Sequence, residues 1–582
     1  MRPLPAGLCQ CGDWSRRLLG LLGVVSLLAC AGLLVLSFEF QSEASDPPLP
    51  RALVLLGLAT LCWLTALGVL FGGANHPDGS RLTLILVFAV FFRLLLLPSW
   101  PIQEIDFYRY LWDGRVTLDG GNPFRYSPWA VLETGPYAPP SSEVHGIWQL
   151  ANQSDSIRTI LERVHYPQIP TAYPPVAQAV FALSAAITPA DAPVYVHVLL
   201  WKAVLLVFDA GTVVVLVLLL RRLQLPASWC LAYAWCPLVL KEFANSGHFD
   251  AIAVFFSTLA LYALAGLKTA TAVDRAPLRR AVWGCVALGL AILAKSYPVV
   301  LLPVVAAYLI ARIGRRAVLP LGAAVAIVLL GYAPFVGGTS APPPSAASVL
   351  LDIPEPSNPG SGLAAFLSQW EVNDFLFMLV KENLRAPSAA DPWFTVMPAV
   401  WRQALHDAVL IPLASAVGLP VQAGLALLAT QCLLGLVLLV LALRWAAQVY
   451  RQPEPVLLLR AAFLTLAWAW LLSGAQNPWY LVWCLPFVVF DGRKSWFLLP
   501  GLVLLYYVGF WLERQPDAGA FESALVWVEF LPFLLLLAWE TRRARPSHDE
   551  TEVFVPSTLP TVARMVAPVS RVEVAPEMES IR

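Results

Sequence analysis

The sequence predicts an all-α, polytopic membrane helix bundle of about 11–14 spanning helices at about 20 residues each, with interfacial helices in its loops. Three observations carry this expectation. Hydrophobic residues make up 58% of the chain, mean hydropathy is +0.68, and charged residues are 13%, against roughly 25% for a soluble domain. Apolar runs recur along nearly the whole length. The 22 tryptophans and 49 prolines fit interfacial anchoring and broken spanning helices, where neighbours or water satisfy the freed carbonyls.

Residues 1–98 form the N-terminal transmembrane part. The run 18–36 follows Arg16 and Arg17 and is too long for a signal-peptide core, so the N-terminus is placed in the cytoplasm. Glu39, Glu43 and Asp46 suit the outside; 53–71 returns, and 82–97 delivers the chain outside again. Residues 99–173 then form an extracytoplasmic loop whose many aromatics argue for order. A central bundle (174–336), a second extramembrane loop (337–408) with a helix-like stretch at 363–384, and C-terminal transmembrane helices (409–541) follow. The tail 542–582 is polar and Pro-rich, and is expected to be cytoplasmic and disordered. One segment leaves the topology open. If 175–188 spans, Arg221 and Arg222 fall outside; if it is re-entrant, they fall inside.

The zero net charge offers no field for nucleic acid. The nine cysteines are scattered as packing residues, and no zinc site is completed, so neither a metal nor a cofactor is expected. There is no Walker loop, dinucleotide fingerprint or Gly-x-Ser-x-Gly.

The chemistry concentrates at residues 104–115. At helical spacing Asp106, Arg109, Tyr110 and Asp113 share one face, and Phe107, Leu111, Gly114 and Leu118 the other, as in an interfacial amphipathic helix ending near Gly120-Gly121-Asn122-Pro123. Asp106 beside Glu104 suits a general base, and Arg109 and Arg115 suit a phosphate. Capping by Asp106 or an Arg109–Asp113 surface pair would use the same residues structurally. Lys295, in an apolar segment, is a functional charge, half of an ion pair, or a snorkelling side chain. Glu242, His248 and Asp250 form a polar substrate pocket or a capped helix end. Lys202 and Asp209 read as an interhelical polar contact, and Arg93 as a snorkelling or paired residue. Trp370-Glu371-Val372-Asn373 and Gln476-Asn477-Pro478-Trp479-Tyr480 suit sugar stacking or interfacial anchoring.

The run Asp106-Phe-Tyr-Arg-Tyr-Leu-Trp-Asp-Gly-Arg115, with Gly121-Asn-Pro-Phe124 and Tyr173-Pro-Pro175, resembles bacterial GT-C-fold glycosyltransferases, nearest to the mannosyltransferase-like proteins of the glycosyltransferase 87 type. Trp235-Cys-Pro-Leu238, Gly247-His-Phe-Asp250, Ala294-Lys-Ser-Tyr-Pro298 and Asn477-Pro-Trp-Tyr480 extend the resemblance over roughly residues 85–490. It departs at the N-terminus, where about two apolar helices, rather than one, precede the helix entering the loop. The resemblance implies a multi-pass enzyme of a bacterial inner membrane with an extracytoplasmic active site. Its donor would be a polyprenyl-phosphate sugar and its acceptor a glycan or glycolipid. Asp106 and Glu104 would be catalytic; Arg109, Arg115 and Lys295 would bind donor phosphate. Tyr110, Asp113, Asn122, Tyr173, Glu242, His248, Asp250, Trp479 and Tyr480 would contact substrate. A flippase for a lipid-linked sugar, or a non-catalytic envelope scaffold, are the rival expectations.

Overall fold

A computed structural model describes residues 7–41, 47–72, 78–267, 275–335, 362, 370–416, 425–515 and 519–543. The expected disorder of the tail beyond Arg543 and the helix start at 363–369 lie outside them. Among the described residues the regular structure is helical, with one isolated parallel bridge between Val372 and Ala475. Nine helices among the described residues are long and apolar enough to cross a membrane, and three shorter apolar helices accompany them. Val54, Val207 and Val318 are each 71% exposed on helix exteriors, a placement that lipid accommodates and water does not. The chain is a multi-pass membrane protein.

The bundle has two ends. Helices α1 (Gly7–Ser37), α2 (Leu49–Gly72) and α3 (Asp78–Leu96) run between them. Arg81 donates to Ser15 Oγ at 2.6 Å at one end, and the Trp100 amide donates to Ser37 Oγ at 3.0 Å at the other. The loop after α3 then enters α4 (Phe107–Leu118), followed by the short helices α5 (Pro128–Thr134), α6 (Glu143–Ala151) and α7 (Asp155–Glu162). Ser127, Ser142 and Ser154 each accept a backbone N–H at the start of the last three, which explains why helices begin there.

Helix α8 (Pro175–Ile187) packs along α4, which bears on whether 175–188 runs from one end of the bundle to the other. Its N-terminal side carries Tyr173 against Tyr110, and at its C-terminus the Thr188 carbonyl accepts from Arg115. The next helix, α9 (Val194–Arg222), starts where α3 stops: Tyr195 donates to the Pro98 carbonyl at 2.8 Å, and Lys202 Nζ to those of Leu96 and Ser99. So α8 begins and finishes at one end of the bundle, a re-entrant arrangement, and Arg221 and Arg222 fall at the opposite end. Gly114 permits the α4–α8 contact, since a Cβ there would stand 2.4 Å from the Phe181 carbonyl oxygen.

Residues 227–245 cross back as a broken segment: a 3-10 turn, α10 (Leu231–Ala234), α11 (Pro237–Val239) and a π turn from Leu240 to Asn245. Asp78 accepts the Ala227 and Ser228 amides at one end, and Asn245 bonds Ser99 and Trp100 at the other. Pro237 explains the break, because it has no N–H to continue the ladder. At mid-depth Arg93 pairs with Asp209 at 2.6 Å and donates to the Ala234 carbonyl, while Tyr233 donates to Asp209. Lys202 and Asp209 therefore serve separate partners rather than one shared contact.

Helices α12 (Asp250–Ala265), α13 (Ala276–Ala294), α14 (Leu302–Ile313) and α15 (Val318–Tyr332) complete the central bundle. Gly314, at φ 60°, divides α14 from α15. Helix α15 runs beside α13 in the same direction, Ala324 against Gly289 and Leu293 against Gly331. The second polar region contributes α16 (Leu376–Leu384), α17 (Ala399–Leu405) and α18 (Ile411–Ala416). Helices α19 (Leu425–Arg451) and α20 (Pro455–Leu471), a broken segment that includes α21 (Pro478–Leu481), α22 (Ser495–Leu502), α23 (Tyr506–Leu512) and α24 (Gly519–Arg543) close the bundle.

Candidate functional site

At the end of the bundle where α3 stops lies a cavity of about 340 Å³. The loop from Gln103 to Asp106, Arg109 on α4, and His165 to Tyr173 form one wall. Trp370, Val372, Asn477, Trp479 and Tyr480, with Tyr506, Tyr507 and Phe510 of α23, form the other. The bridge between Val372 and Ala475 sets the second wall: the Val372 amide donates to Gly474 and the Gln476 amide to Val372, both at 2.8 Å. Two motifs about a hundred residues apart in sequence are thereby joined. Gln103 and Tyr166, both on the cavity, hold φ of 51°. A non-glycine residue in that region costs about 1–3 kcal/mol, and such strain clusters at working sites.

The two acidic residues of the loop are differently placed. Glu104 turns inward with 6% of its side chain exposed; Asp106 retains 29%. Glu104 Oε1 accepts the amides of Ile105 (2.9 Å) and Asp106 (2.7 Å). Its Oε2 lies 2.9 Å from His248 Nε2, which is also 3.3 Å from Glu242 Oε2. Burial opposes ionisation of Glu104, but His248, Lys241 and the Asp106 amide together hold its carboxyl below the ordinary value. The Asp106 side chain makes no capping bond to α4; His165 Nδ1 stands 3.9 Å from it.

His248 is fully buried and its ring stacks on Trp479 at 4.2 Å and 14°. Gly247, at φ 76°, makes the turn that presents it. Behind His248, Glu242 accepts from the Tyr507 hydroxyl at 2.8 Å and lies 3.4 Å from Lys241, which in turn donates to Tyr507. Glu104, Asp106 and His248 each offer a ligand atom, and these atoms lie within 4.8 Å of one another, close enough to share one cation. The three form a candidate ligand set that no stretch of the sequence completes by itself.

The remaining expected residues divide. Arg109 lines the cavity; its Nη2 donates to the carbonyls of His165 (3.2 Å) and Tyr166 (2.8 Å), and its buried Nη1 has no hydrogen-bond partner among the described residues. Tyr173, Trp479 and Tyr480 line it too. Tyr110 and Asp113 stand behind the wall: residues 107–116 of α4 are all buried, so its polar face meets protein rather than open water. Asp113 lies 3.5 Å from Gln178 Nε2, and burial raises its carboxyl to about 6 despite Arg109. Arg115 donates to the Thr188 carbonyl, directed away from the cavity, because α8 occupies that side of α4. Asn122 donates to the Phe335 carbonyl and accepts the Phe124 amide, a loop-shaping role. Lys295 is bound at 2.7 and 2.8 Å to both oxygens of Asp250, which also accepts from Trp483 at 2.6 Å. Lys295 Nζ reaches the Tyr480 ring at 4.3 Å, one side chain back from the cavity.

Lys241, His165, Tyr166, Tyr506 and Tyr507 join the site without having been expected. Lys241 beside Glu242 in an apolar run was a legible signal, since a charge there needs a partner. The tyrosines had none, because Tyr also anchors helices at interfaces.

No protein-family model matches the chain, and neither a curated protein nor a solved structure matches it significantly.

Proposed function

We propose that this protein is a membrane glycosyltransferase that moves a hexose, of the mannose class, from a polyprenyl-phosphate donor to a hydroxyl of an extracytoplasmic glycan or glycolipid. The observation that carries the reading is the pairing, on one cavity wall, of a partly exposed carboxylate, Asp106, with a buried guanidinium nitrogen, Arg109 Nη1, that has no hydrogen-bond partner among the described residues. Asp106 takes the acceptor's proton as its oxygen attacks the anomeric carbon. The bond to phosphate breaks on the opposite face, inverting the centre, and the phosphate leaves with the electron pair toward Arg109. A positioned base contributes about 10²–10⁴-fold, and fixed charge at the leaving group adds to it. Tyr166, Trp370, Trp479 and Tyr480 are suited to stack on sugar faces, and the volume lies at the small end of ligand pockets.

The charge distribution supports an extracytoplasmic cavity. Arg221 and Arg222, Arg279 and Arg280, and Arg315 and Arg316 all gather toward the end of the bundle away from it, as the positive-inside tendency asks. The resemblance noted in the sequence points the same way.

The test is transfer by the purified protein in lipid vesicles, with radiolabelled polyprenyl-phosphate mannose and envelope lipid extract. Label on a new product supports the reading, and Asp106→Asn should abolish it while the variant still inserts and folds. An active Asp106→Asn protein removes that residue from the mechanism. Label that crosses the bilayer without changing carrier replaces the enzyme with a flippase.

A further inference from the structure

We propose that Glu104, Asp106 and His248 form a binding site for one divalent cation at the inner wall of the cavity. The inference goes beyond the transferase reading and stands whether or not the chain moves sugars.

Two of the three ligands are held in place before any ion arrives. Glu104 is locked through Oε1 by two backbone amides, which leaves Oε2 facing His248. The imidazole is clamped by the Trp479 ring and by the turn at Gly247. Its Nε2 points between Glu104 and Glu242 at 2.9 and 3.3 Å, and among the described residues neither ring nitrogen makes an aligned hydrogen bond, although the side chain is fully buried. The imidazole is paired with both carboxylates by charge rather than by a directed bond. A nitrogen aimed into converging carboxylate oxygens is arranged for a shared cation better than for a single N–H···O bond. Asp106 closes the set from the open side.

The local charge supports the same conclusion. Lys241 contacts Glu242 and Tyr507 directly and reaches Glu104 only through the field, so one ammonium serves two buried carboxylates and Asp106 adds a third. The nearest imidazole nitrogen to Asp106 outside the set is His165 Nδ1, at 3.9 Å. Two carboxylates and one imidazole on an open cavity suit Mn²⁺ or Zn²⁺, with positions left for water or a phosphate oxygen.

The experiment is Mn²⁺ titration of the full chain in detergent micelles, read by electron paramagnetic resonance. The expected result is one Mn²⁺ per chain, displaced by Zn²⁺, with nitrogen hyperfine coupling from the His248 imidazole in pulsed spectra. Glu104→Gln should weaken binding at least tenfold while size-exclusion profile and melting temperature stay native. If that variant does not fold, the hyperfine coupling of the unaltered protein still decides. Absence of stoichiometric Mn²⁺, or bound Mn²⁺ without nitrogen coupling, overturns the site. The two proposals fail separately: transfer that survives chelation alongside no Mn²⁺ binding removes the cation alone, and Mn²⁺ binding without transfer from any donor removes the transferase alone.

Discussion

Asp113 should make the folded protein less stable as pH rises through the weakly acidic range, and Asp113→Asn should remove that loss. The carboxyl is buried on α4 behind the cavity wall, and burial raises it from 3.8 to about 6 even with Arg109 nearby. The folded state therefore holds this proton to a higher pH than the unfolded chain does. Stability from this group is complete below about pH 4, where both states are protonated, and falls as pH rises through about 6. The difference between 3.8 and about 6 corresponds to about 3 kcal/mol lost by pH 8. Asparagine has nearly the same shape and keeps an oxygen for Gln178, but has no charge to bury. Thermal unfolding of detergent-solubilised protein, followed by tryptophan fluorescence at about pH 3.5 and at pH 8, gives the comparison. The variant should match the parent at about pH 3.5 and melt higher at pH 8, with the gap opening between about pH 4 and 6. A variant that melts lower at both, or whose pH dependence equals the parent's, would refute the argument.

Gly114→Ala should be among the more damaging small substitutions in the loop. Its Cβ would meet backbone atoms of Phe181 at 2.4 and 2.6 Å, which cannot rotate aside, so α4 and α8 must part; a loss of about 1–3 kcal/mol is expected in the same melting assay. Lys295→Met should cost about 3–5 kcal/mol, because it leaves the fully buried Asp250 carboxylate without its cation. Lys295→Met combined with Asp250→Asn should recover much of this loss, and a double variant no better than the single would show that the ion pair is not the cause. Loss of transfer in Asp106→Asn, and loss of Mn²⁺ binding in Glu104→Gln, complete the set.

Much of this protein is legible from sequence because lipid imposes a simple rule. Long apolar runs with few charges must become helices that satisfy their own backbone, so the bundle and its spans follow from composition and length. The concentration of chemistry between Glu104 and Arg109 could also be read locally, since acidic and basic residues beside aromatics in a long loop mark a site. Parity was not legible. Whether 175–188 crosses depends on α8 finding α4, a contact permitted by the missing side chain at Gly114. Nor could spacing distinguish Arg109 from Arg115, because α8 covers one and leaves the other at the cavity. Lys295 was visible as a buried charge, but only folding brought Asp250 to it. The same holds for the candidate cation site: Glu104 and Asp106 are neighbours in sequence, whereas His248 joins them only because the broken segment 227–245 returns the chain to the same end of the bundle.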